Sequence, residues 1–173
     1  MKSWNNISSY LNACFSAPSA SLTELSEFPF LAENIPEDLS TWLRDEFPKR
    51  DRPRTLIIVS PSRYGKSEWS RSFGCPAYME GEFDLRLITE ETTHLVLSDF
   101  NNHKHGDQWV FTKFKAFFGG QKLISMTDKY CAKRTFKWGK PLIYLCNSFP
   151  EKWLEDDWLK ANMIHVVLDK PLF

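Results

Sequence analysis

Eight consecutive residues carry the clearest chemistry in this chain. Ser60-Pro61-Ser62-Arg63-Tyr64-Gly65-Lys66-Ser67 follows the pattern G-x-x-x-x-G-K-[ST] at every fixed position but the first, where serine stands in place of glycine. In such a loop the backbone amides and the start of the next helix cradle phosphate oxygens. Lys66 brings a cation to the terminal phosphates, and the Ser67 hydroxyl ligates Mg²⁺. Ser60, Pro61, Ser62, Arg63, Tyr64, Gly65, Lys66 and Ser67 are therefore the candidate nucleotide-binding set. Glycine at the first position permits a backbone angle that serine adopts only with strain, so an altered cradle is expected at Ser60.

Phosphate chemistry also needs a carboxylate at the end of another core strand to hold Mg²⁺ and orient water. His94-Leu95-Val96-Leu97-Ser98-Asp99 fits that need, which makes Asp99 the second candidate metal ligand beside Ser67. Asn147 ends a third apolar run, where an amide can hydrogen-bond a γ-phosphate or an attacking water. Read without that context, Asp99 and Asn147 are ordinary turn residues. His103, His105 and Asp107 cluster in a polar stretch, but H-x-H without further ligands reads as a solvated loop rather than a metal centre.

Residues 113–140 hold eight basic side chains against one acid, interleaved with Phe114, Phe117, Phe118, Tyr130, Phe136 and Trp138. Basic and aromatic residues together suit single-stranded nucleic acid, through phosphate neutralisation and base stacking. A solvated charged face over core aromatics explains the same composition.

These groups need a scaffold, and the apolar pattern supplies one. Thr55 to Val59, His94 to Leu97, Leu142 to Cys146 and Met163 to Leu168 read as buried strands. Ile35 to Phe47, Glu68 to Phe73, Gln108 to Phe118 and Glu151 to Lys160 read as helices. Leu123 to Met126 and Thr135 to Trp138 flank a polar segment and read as a hairpin with a basic tip. Strands alternating with helices imply an α/β fold with a mainly parallel sheet flanked by helices. The chain divides into a serine-rich leader over 1–27, a short helical segment and linker over 28–54, and a phosphate-loop domain over 55–173.

Length and composition set limits. A chain of 173 residues with 42% hydrophobic content suits one folded core and excludes wholesale disorder. No apolar run approaches the roughly 20 residues of a membrane span, and the amino-terminal segment lacks a secretory apolar stretch, so an intracellular, non-secreted protein is expected. The four cysteines form no C-x-x-C pair, which argues against zinc ribbons and disulfide frameworks. Net charge is zero, yet residues 51–140 carry 15 basic and 10 acidic side chains while both flanks are acidic.

Taken in order, these motifs resemble the helicase domain of the replication-associated protein (Rep) of small circular single-stranded DNA viruses of the geminivirus and genomovirus type. The resemblance covers residues 35–173. It rests on the phosphate loop followed by Trp69-Ser70-Arg71-Ser72-Phe73-Gly74, and on Leu95 to Asp99. Phe114 to Gln121, Thr127-Asp128-Lys129-Tyr130 with Trp138-Gly139-Lys140-Pro141, and Ile143 to Asn147 complete it. It implies a superfamily 3 phosphate-loop NTPase: a ring-forming, ATP-driven, Mg²⁺-dependent motor on single-stranded DNA, working in the host nucleus. Lys66, Asp99 and Asn147 then take the catalytic roles, and Lys122, Lys129, Lys133, Arg134 and Lys137 of the hairpin region contact DNA.

The sequence departs from that family at Ser60 and at Ser98, which stands where an acidic pair is usual. No arginine follows Arg134, so the customary arginine finger has no source there, and lysine lacks the bidentate fork. The family's nicking domain has no counterpart among these residues, and no DNA cleavage is expected. A degenerate Rep-like module that binds nucleotide or single-stranded DNA with little hydrolysis is the alternative. A small phosphate-loop kinase ranks last for want of an arginine-rich lid.

Overall fold

The branched, leucine-rich runs assemble into a parallel sheet. The computed structural model describes residues 30–100, 113–128 and 131–173. In chain order its elements begin with α1 (Glu37–Asp45), β1 (Thr55–Val59), α2 (Lys66–Arg71), β2 (Pro76–Glu80) and β3 (His94–Ser98). They continue with α3 (Phe114–Phe118), β4 (Leu123–Asp128), β5 (Cys131–Lys137), β6 (Leu142–Cys146), α4 (Glu151–Leu154), α5 (Asp157–Asn162) and β7 (Met163–Val167).

Five strands form one sheet in the order β2-β3-β6-β1-β7, with every neighbouring pair parallel. β3 and β6 are buried along their whole length, which explains their continuous apolar sequence. The two-residue period of the strands sends alternate side chains to opposite faces. Leu56, Ile58, Val96, Ile143 and Leu145 pack with α1 and α2, against Leu39, Trp42, Phe47 and Trp69. Ile57, Leu95, Leu97, Tyr144 and Met163 pack on the other face with Phe117, Phe118, Ile124, Trp138, Trp153 and Leu159. The expected α/β sheet with helices on both faces is thus present.

β4 and β5 form the separate antiparallel hairpin. It lies on the face opposite the phosphate-loop helix, anchored by buried Ile124 and Met126. Its strands run to Asp128 and from Cys131, further toward the tip than the apolar pattern predicts.

Other boundaries shift for physical reasons. The helix expected over 151–160 is two, because Asp156 caps the second by accepting the Leu159 amide at 2.9 Å. The helix after the loop begins at Lys66 rather than Glu68 and ends at Arg71. β2, which the sequence pattern does not reveal, is a short edge strand opening on a proline. The leader over 1–27 and His103, His105 and Asp107 lie outside the described residues, as do residues 108–112 of the helix expected before Gly119.

α1 is tied to the sheet by more than apolar contact. The Trp42 indole donates to the Arg54 carbonyl at 2.8 Å. Buried Glu46 accepts from the Arg54 amide and guanidinium and from Lys49. Burial pushes its pKa up, but those hydrogen bonds outweigh burial and hold the carboxyl below its usual range.

Candidate functional site

Strand register brings the candidate residues together. Val59 of β1 sits opposite Cys146 of β6, and Ser98 of β3 opposite Leu145. The residues that follow, Ser60, Asn147 and Asp99, therefore leave the sheet side by side. The Ser60 amide donates to the Cys146 carbonyl at 3.2 Å, extending the ladder one step into the loop.

The loop turns back through two left-handed residues, Arg63 (φ 65°) and Gly65 (φ 84°). Gly65 caps α2, and its carbonyl accepts the Trp69 amide at 2.8 Å. Ser60 is buried and is not among the positive-φ residues, so the strain expected there is absent. The unusual backbone angle falls instead on Arg63, where glycine would have been the unstrained choice.

Lys66 is the centre of the arrangement. Its ammonium donates to the Ser60 carbonyl at 2.5 Å, the Pro61 carbonyl at 3.1 Å and Asn147 Oδ1 at 3.0 Å. Burial pushes its pKa down, opposed by nearby Cys146 and Asp99. All three acceptors are neutral, so an anionic oxygen is a stronger partner for this cation. Beneath it, burial pushes the Cys146 thiol up to about 12, which leaves it protonated and unreactive at neutral pH.

A cavity of about 480 Å³ opens over this cluster. Residues 62–68 form one wall, and Ser98, Asp99 and Asn147 form another, with Phe173 at the rim. Asp99 is exposed and adopts φ 54°, a left-handed geometry that costs on the order of 1–3 kcal/mol in a non-glycine residue and clusters at functional sites. The structure thus gathers Lys66, Ser67, Asp99 and Asn147 around one space. Ser67 and Asp99 offer oxygen donors suited to Mg²⁺. The second carboxylate on the cavity wall, Glu68, is ion-paired with Arg71 on the same helix. No cluster of three or more His, Cys, Asp or Glu occurs among the described residues.

His94, at the start of β3, buttresses the site from below. Its Nε2 lies 2.9 Å from the Ser70 carbonyl of α2, and its Nδ1 lies 2.9 Å from Thr93 Oγ1. The ring stacks on Phe73. Complete burial pushes its pKa down to about 4, so it is neutral at physiological pH.

The hairpin divides its basic residues by alternation. Lys133 and Lys137 share the outer face with Ser125 and Thr135, whose hydroxyls meet at 2.5 Å. Arg134 points the other way, toward the Leu85 and Ile88 carbonyls at 3.5 and 3.4 Å and over the Phe136 ring. Lys122, at the base, pairs with Asp51 at 3.0 Å. Lys129 lies outside the described residues. Among the described members of the nucleic-acid set expected from sequence, Lys133 and Lys137 project together, while Arg134 and Lys122 are exposed and also have protein partners.

Phe173, Leu145 and Glu68 also line the cavity and were not singled out from sequence. Phe173 stands far along the chain from the loop, and no motif marks it.

No family model matches the chain. It is 33% identical over 145 residues to the replication-associated protein of Tobacco yellow dwarf virus (strain Australia), a match spanning 79% of this chain and 39% of that protein. It is 27% identical over 198 aligned positions to the replication-associated protein of Cabbage leaf curl virus (isolate Jamaica), spanning 99% of this chain and 53% of that protein. The chain thus covers about half or less of the length of these relatives.

Proposed function

Because this chain is a relative of the replication-associated proteins of geminiviruses, we propose that it is the ATPase and helicase portion of a Rep-type DNA replication protein. It binds Mg·ATP and acts on single-stranded DNA in the host nucleus, working as a homo-oligomeric ring. The observation that carries this reading is the buried Lys66 ammonium, which lines the cavity over the loop and donates to Asn147, the residue after β6.

Each residue has a definable task. Residues 62–67 bind the polyphosphate, Lys66 exchanges its neutral acceptors for phosphate oxygens, and Ser67 and Asp99 hold Mg²⁺. Asn147, released from Lys66, orients a water or the terminal phosphate. Mg²⁺, when bound, neutralises negative charge on the terminal phosphates. Lys133 and Lys137 meet the DNA backbone. No helix among the described residues is long and apolar enough to cross a membrane.

The test is steady-state ATP hydrolysis with and without single-stranded DNA, using Lys66→Ala as the blank. Turnover stimulated by DNA and lost in the blank supports the motor. Turnover no higher than the blank, in a folded protein that still binds nucleotide or DNA, favours a degenerate binding module. Ser98 favours that second reading, since it is a buried cavity-wall hydroxyl at the end of β3, next to Asp99. Under it, Ser98→Asp raises turnover.

A further inference from the structure

We propose that the ring of Phe173 is the platform on which the base of a bound nucleoside triphosphate stacks, an inference that rests on the nucleotide reading above. The chain after β7 folds back toward the phosphate loop. The Leu168 amide donates to the Val59 carbonyl at 2.9 Å, and the Leu172 amide to the Tyr64 carbonyl at 3.0 Å. The Leu172 carbonyl accepts from the Leu31 amide at 3.0 Å, and its side chain is fully buried beside α1 and α2. Phe173 is therefore delivered to the loop by a neighbour anchored at both backbone groups.

The ring meets the loop where no side chain intervenes. A β-carbon on Gly65 would lie 3.2 Å from Phe173 Cδ1 and 3.5 Å from Cε1, so the close approach depends on glycine as much as the positive φ does. The ring nonetheless stays 43% exposed, the only aromatic ring left exposed among the described residues, and it lines the cavity that holds Lys66 and Asp99. A large ring held by an anchored backbone, part-exposed on the wall of that cavity, has the properties of a stacking surface. Every nucleobase presents a π-face to such a ring, so stacking of this kind tolerates any base. A polyphosphate in the loop leaves the sugar and base to extend past Gly65 toward this ring.

The test compares two probes by calorimetry on the full chain: Mg·ATP, and Mg·tripolyphosphate, which has no base. Phe173→Ala and Phe173→Leu are expected to weaken Mg·ATP about tenfold while leaving Mg·tripolyphosphate affinity unchanged. Phe173→Trp retains tight Mg·ATP binding. Unchanged Mg·ATP affinity in the first two variants overturns the platform, and so does an equal loss for both probes, which makes Phe173 a prop for the loop. A wild-type chain that binds tripolyphosphate as tightly as ATP removes the platform alone. One that binds neither removes the nucleotide reading with it.

Discussion

The phosphate-loop end of the sheet and the basic hairpin carry their charges in opposite ways. At the loop, one lysine is buried and satisfied by groups that follow two strands, with Asn147 lying 81 positions from it in sequence. At the hairpin, Lys133 and Lys137 project from a two-stranded ribbon whose inner face alone is packed. A reacting centre needs charges held within fractions of an ångström, and a surface that neutralises a flexible phosphate backbone needs only their number and sign. Substitutions at the loop should therefore act steeply and all-or-none, and those on the hairpin gently and additively.

The sharpest way to break this contrast is Asp99→Asn. The exchange keeps size and the left-handed backbone tolerance of the site while removing the strand-end charge. Hydrolysis should fall by about two orders of magnitude or more, with nucleotide binding in the absence of Mg²⁺ unchanged. A fall of only a few-fold would place the site on the same gentle scale as the hairpin.

A second test asks whether the buttress beneath the loop is as exacting. The folded value of His94 lies below that of the unfolded chain, so between pH 6.5 and 4 the unfolded state binds more protons and stability rises with pH. The cost of holding His94 neutral is absent above pH 6.5 and grows as pH falls toward 4. From pH 7 to 4.5 the wild type should lose about 2 kcal/mol more stability than His94→Gln, measured by urea unfolding at both pH values. Equal losses would mean that another buried group sets the acid limit.

On the hairpin, Lys133→Ala with Lys137→Ala should weaken single-stranded DNA binding and lower the slope of log K against log salt by about 0.7 for each lysine. Nucleotide affinity should not move. A loss of nucleotide binding in this pair would join the two regions that the geometry keeps apart. The smallest effect belongs to Lys122→Ala: its exposed pair with Asp51 contributes about 0–1 kcal/mol to stability, and DNA affinity should change less than with either outer-face lysine.

Several features were legible before any tertiary contact was known. The four main sheet strands announced themselves as short apolar runs, and the loop as a contiguous motif, because both signals lie within a few neighbouring residues. β2 gave no such signal: Pro76-Ala77-Tyr78-Met79-Glu80 is a half-buried edge strand, and its partner β3 supplies the pattern that identifies it. The long helix expected over 151–160 failed because a local cap at Asp156 outcompetes helical continuation. The residue pattern puts the strain at Ser60, whereas the left-handed angle sits three residues on, at Arg63, which a residue pattern does not locate.

The sequence alone determined which side chains are available: a loop with the pattern of a phosphate-binding loop, a carboxylate after one core strand, an amide after another, and an excess of positive charge over residues 51–140. These follow from side-chain type and short-range spacing. Only the tertiary structure decided which groups meet. Parallel register set Asn147 on Lys66, alternation along the hairpin put Arg134 on the face opposite Lys133 and Lys137, and the fold-back after β7 laid Phe173 on Gly65. Such contacts join residues dozens of positions apart, and their geometry comes from how strands and faces pack rather than from any local run of residues.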